Sequence, residues 1–213
     1  MGKKIGAVMI AAALTTGVAA DTPGPSYSCT KAQTDTEKAI CGSPYLSALD
    51  LAVAHAYTAL LAAKPDQDSA IRSAQRDVIS KRNACHADIS CIAGILETRV
   101  DAMLTMTSVS GEPGKAGDYN AVPADSSASL KLAIADGTTT IDRSVVNSYN
   151  LHTCDINGPV MGAPDKGGFV FVDQNSQPIA GSPIITALDE LLVLRGGSDF
   201  CGAGVSWPAI WSR

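Results

Sequence analysis

Apolar residues in this chain keep two different periods, and the switch between them limits what it can fold into. Leu46, Leu49, Val53, Tyr57 and Leu60 recur every three or four positions, which places them on one helix face. From Leu130 the spacing drops to two: Leu130, Leu132 and Ile134 alternate with Lys131 and Ala133, the period of a half-buried strand. The expectation is an α+β protein, with an N-terminal helical domain and a C-terminal small antiparallel β domain, one sheet or a compact sandwich.

Local signals place the elements. Thr34 and Glu37 form a capping box, so a short helix should start there and run to about Ile40. Ser43-Pro44 opens the first long helix, which runs to about Lys64 and breaks at Pro65-Asp66. Ile71, Ala74, Val78 and Ile79 mark the next helix. Asp88 caps a further one carrying Ile92, Ile95, Leu96, Val100 and Met103. Residues 107–128 are Gly/Pro/Ser-rich and read as a linker between a helical domain at 29–106 and a β domain at 129–213. In the β half, Asp136-Gly137 and Asn157-Gly158 both read as hairpin turns. Tyr149, Leu151 and Thr153 alternate as one strand, and Phe169–Val172 and Glu190–Leu194 are two more. Ile184–Leu188 is either a strand or the start of a helical turn.

The N-terminus points to export. Lys3 and Lys4 precede an uncharged stretch ending Val18-Ala19-Ala20, so residues 1–20 read as a signal peptide with an uncleaved anchor as the alternative. No later segment reads as a membrane span, and stable membrane insertion is not expected. Without Lys3 and Lys4, 14 basic residues face 21 acidic ones, a net charge of −7. Such an acidic chain is a poor nucleic-acid binder. The six cysteines, Cys29, Cys41, Cys85, Cys91, Cys154 and Cys201, read as three disulfides. None falls in a recognised zinc spacing with His86 or His152, so no metal is expected. The short turn between the first two long helices makes them antiparallel, bringing Cys41 toward Cys85 and Cys91. Cys29 and Cys41 are therefore both expected to cross to Cys85 and Cys91, with the assignment between them open, and Cys154 is expected to pair with Cys201.

The order Cys29, Glu37, Cys41, Leu46, Leu49-Asp50, Tyr57, Gln75-Arg76, Arg82, Cys85, Cys91 and Arg99 resembles the LprI-type lysozyme-inhibitor N-terminal domain family over about residues 29–103. Val78 stands where that family commonly carries Trp. The resemblance implies a bacterial periplasmic or secreted protein whose partner is lysozyme or another cell-wall hydrolase. The β half lacks the Tyr/Ser-Gly motif of the C-type lysozyme inhibitors, so no inhibitory loop carries over from them.

No catalytic constellation stands out. The chain has no GxSxG, HExxH, phosphate-cradling loop or GxGxxG motif, so neither an enzyme nor a cofactor is expected. Nothing in the spacing selects a triad from Ser148, His152 and Asp155, and His55 reads as a helix residue beside its apolar stripe. Asp189-Glu190 would point to opposite faces if both lay in a strand. Asp155–Gly158 lacks the later ligands of a calcium loop. The candidate binding residues are Arg82, Trp207 and Trp211. Arg82 either pairs with Asp50 across the helical hairpin or meets an acidic cleft. The tryptophans form either a binding patch or the edge of the β core.

Overall fold

Short-range signals set the helix starts. The computed structural model describes residues 23–107, 114–122, 127–136, 138–146, 153–197 and 210–213. Helix α1 (Asp35–Gly42) begins at the expected capping box: the Thr34 hydroxyl accepts from the Glu37 amide, and the Glu37 carboxylate accepts from the Thr34 amide. Helix α2 (Pro44–Ala63) starts at Ser43-Pro44, with the Ser43 hydroxyl accepting from the Leu46 amide. Helices α3 (Asp68–Ala84) and α4 (Ile89–Met106) follow, the latter capped by Asp88.

Contrary to expectation, α2 has the length (20 residues) and mean hydropathy (1.5) of a membrane span. In this fold half of that stretch is buried. Leu46, Leu49, Val53 and Leu60 pack with Ile92, Leu96 and Val100 of α4, so its apolar character serves a core helix.

Both disulfides in the helical region are local, which overturns the expected crossing. Cys29 bonds Cys41, and Cys85 bonds Cys91. The proximity behind the expectation is real, since Thr36 of α1 donates to the Asn83 carbonyl near the end of α3. However, the segment before α1 folds back along it, with the Tyr27 hydroxyl donating to the Glu37 carbonyl, and this brings Cys29 to Cys41. Cys85 and Cys91 lie on either side of the tight α3–α4 corner, where His86 takes φ 52°.

The β half is a closed antiparallel barrel, a correction to the expected single sheet or sandwich. The strands are β1 (Gly117–Val122), β2 (Ser127–Ala135), β3 (Thr138–Val146), β4 (Thr153–Ala163), β5 (Gly168–Phe171), β6 (Ile184–Leu188), β7 (Leu191–Arg195) and β8 (Ile210–Ser212). Each pairs with its neighbour, and β1 pairs with β8 to close the ring. Strand β1 lies inside the stretch read as linker, because Tyr119 and Ala121 supply the alternation that turns them into the barrel. Asn157-Gly158 is not a turn. It sits mid-β4, opposite Asp142 and Ile141, and the ring of Phe171 fills the space beside Gly158. Asp136, at φ 51°, lies in the expected hairpin connection between β2 and β3, and Ile184–Leu188 is a strand.

Tyr119, Leu130, Ile141, Phe171, Ile185 and Trp211 are among the side chains that fill the barrel. On its outer wall Val122, Leu188, Leu191, Val193 and Ile210 join the apolar cluster of α2 and α4, so the helices pack on the barrel through a core separate from its interior. A buried clasp lies beside it. Arg195 donates to Asp101 and Thr105 of α4 and to the carbonyls of Lys166 and Gly167, in and after the 3-10 turn Pro164–Lys166.

Candidate functional site

Two arginine bridges join α2 and α3 and hold a groove open between them. At one end Arg82 Nη1 lies 2.9 Å from Asp50 Oδ1, both side chains nearly buried. The second Asp50 oxygen accepts from the amide and hydroxyl of Ser26, at 3.0 and 2.6 Å. At the other end Arg72, held by Asp68 through two hydrogen bonds, reaches across to the Tyr57 hydroxyl at 3.4 Å. The bridges are ten residues apart on α3, about 15 Å at the helical rise. Along its 17 residues α3 contributes one buried side chain, Ile71, which lies just outside the stretch between the bridges.

The resulting cavity is ≈ 220 Å³, walled by Val53 and Ala54 of α2 and Val78 and Ile79 of α3, with Leu96 of α4 among its lining. Ile79 is 39% exposed at the rim. Tyr27 lies at one end, where burial, with the nearby Asp50 carboxylate adding to it, pushes its hydroxyl pKa up to about 12. Gln75 also lines the cavity and accepts from Arg99 Nε at 2.9 Å, and burial lowers the Arg99 pKa. Helix α3 carries Arg72, Arg76, Lys81 and Arg82 against Asp68 and Asp77. It is a basic helix in a chain of net charge −5.

Arg82 is engaged by Asp50, the first of its two expected roles. Trp211 is a correction to the binding-patch reading. It is fully buried inside the barrel, with the Arg143 guanidinium 5.4 Å from its ring centroid, and so presents no surface. Desolvation there lowers the Arg143 pKa to about 9. Trp207, Cys201 and His152 lie outside the described residues, as do residues 1–20 of the expected signal peptide. Cys154 is buried in the barrel and disulfide-bonded. Asp189 and Glu190 form the exposed β6–β7 turn and converge on Lys115, since neither lies in a strand. His55 is half-buried within α2. Among the described residues no group of three or more His, Cys, Asp or Glu side chains is placed to hold a metal.

Sequence reasoning missed the second bridge, Arg72 to Tyr57. An antiparallel hairpin offers the signal for it: Tyr57 lies two turns after Asp50 on α2 and Arg72 nearly three turns before Arg82 on α3, a difference that the long arginine side chain spans.

No protein-family model, curated protein or solved structure matches this chain. The disulfides of the helical region nevertheless mark an oxidising, extracytoplasmic environment.

Proposed function

We propose that this is an exported bacterial binding protein of the LprI type, acting in the periplasm or after secretion, without catalysis or cofactor, to inhibit lysozyme-like hydrolases. The observation that supports this reading is a rigidly braced groove. The residues that carry the family resemblance hold one another: Cys29 with Cys41, Asp50 with Arg82, Gln75 with Arg99, and Cys85 with Cys91. They build a scaffold and leave a recess with an exposed apolar rim unfilled. A preformed recess loses little conformational entropy when a partner docks, which favours a binding role. The net acidic chain also attracts a basic hydrolase to the protein as a whole.

The test is lysis of a bacterial cell suspension by several lysozyme classes, with and without the purified oxidised protein. Inhibition that is saturable and lost on disulfide reduction is expected. Lack of inhibition in every class would favour the alternative, a cell-envelope glycan- or protein-binding protein, which a peptidoglycan pull-down tests directly.

A further inference from the structure

We propose that the α2–α3 groove receives one large apolar side chain of a partner protein, flanked by a carboxylate that pairs with Arg76. This deepens the inhibitor reading and rests on it only for the partner's identity. The shape argument comes from the two bridges. Arg82 ties α3 to α2 at Asp50 through a nearly buried ion pair, and an exposed contact from Arg72 to Tyr57 adds a second tie, with the space between them left open. The cavity is about the size of one aromatic side chain, and Val53, Val78, Ile79 and Leu96 give it apolar walls. Ile79, 39% exposed at the rim, adds apolar surface that a docked side chain would cover.

Charge chooses the partner's chemistry. The α2 wall carries no charge beyond Asp50, which is neutralised by Arg82. On α3, Arg76 lies between Arg72 and Ile79 on the solvent side, exposed and without an ion pair to any described residue. The remainder of the chain is acidic, so this basic helix is the place where an anionic group meets attraction. A carboxylate lying one residue from the inserted side chain would reach Arg76, and a glycosidase cleft with its paired carboxylates offers such groups.

Two experiments separate the groove from the inhibitor reading. In the first, the acidic aromatic peptide Ac-Asp-Trp-Glu-NH2 is titrated into full-length, oxidised, isotope-labelled protein. Chemical-shift changes at Val53, Val78 and Ile79 are expected to saturate at millimolar peptide and to weaken several-fold in roughly 0.5 M salt. Val78→Trp fills the groove from within and should abolish the shifts while keeping or raising Tm. The surface changes Arg76→Glu and Ile79→Ser should each weaken binding about tenfold. Met161→Asp, on the exposed barrel wall, should change nothing. The proposal is overturned if the wild type shows no shifts at the groove, or if Val78→Trp and Ile79→Ser both bind as wild type does. In the second experiment the same variants enter the lysis assay. If the wild type inhibits and all the groove variants inhibit equally, the proposal falls and the inhibitor reading stands. If the wild type inhibits nothing yet binds the peptide in the groove, the inhibitor reading falls and the groove's chemistry stands.

Discussion

Gly167 shows how tightly the barrel seats against the helices. It follows the 3-10 turn Pro164–Lys166 at φ 63°, and a Cβ placed there would lie 1.8 Å from the Leu104 carbonyl oxygen at the end of α4. Carbon and oxygen normally stay more than about 3 Å apart, so Gly167→Ala must push the turn and α4 apart by over an ångström. The turn is not free to move. The Gly167 carbonyl accepts from Arg195 at 3.0 Å and Thr186 at 2.8 Å, and Lys166 accepts from Arg195 at 2.7 Å. Gly181 supplies the control: its φ is 74°, and nothing lies within 4 Å of its added Cβ. Gly181→Ala should therefore cost only the left-handed backbone term, about 1–2 kcal/mol. Gly167→Ala incurs that term and also weakens hydrogen bonds to a buried guanidinium, for a total of about 4 kcal/mol. At about 2–4 °C per kcal/mol for a chain of this size, the two Tm values should fall by about 4 °C and about 12 °C. Calorimetry on the full-length oxidised protein measures both. Equal losses, within about 0.5 kcal/mol, would show that helix and turn separate at no cost and would refute the reasoning.

Arg82→Met leaves the Asp50 carboxylate buried with only Ser26 as a partner and should cost about 3–5 kcal/mol in denaturant unfolding, part of which Asp50→Asn in the same chain restores. The Cys29–Cys41 loop spans 12 residues and the Cys85–Cys91 loop six, so replacing the first pair by Ser should cost about 3 kcal/mol and the second about 2 kcal/mol by the same assay; the reverse order would contradict loop entropy as the source. Hydrogen bonds from the Thr34 and Gln33 amides hold the Glu37 carboxyl below its ordinary 4.5. Folded and unfolded states then differ most as this group titrates, so its contribution is present above the ordinary value and is lost as pH falls through the folded one. Glu37→Gln should flatten that part of the acid stability curve.

The helix starts were readable because each depends on residues within one turn: Thr34 with Glu37, Ser43 with Leu46, and Asp88 with Cys91. Closure of the barrel was not readable, because it joins Asn120–Val122 to Ile210–Ser212, far apart in sequence and with no local mark. Asn157-Gly158 misled for a related reason. The dipeptide favours a turn locally, while pairing with β3 on one side and the bulk of Phe171 inside select an extended strand. The cysteine pairing failed because the helical period fixes which helix ends meet but does not reveal that Cys29 folds back on α1. At the site, Asp50 and Arg82 were legible as a pair, whereas the groove between the two bridges depends on how little of α3 is buried.

That shallow burial has a kinetic side. With Ile71 as its one buried side chain, α3 is the least anchored of the long helices, and its amides should exchange with solvent sooner than those of α2 and α4. The Cys85–Cys91 staple and the Asp50–Arg82 pair both hold one end of the helix, so exchange should begin at the other, where the Arg72 contacts are exposed. Because the recess stands open without that motion, a partner's association would be limited by orientation and not by the opening of α3.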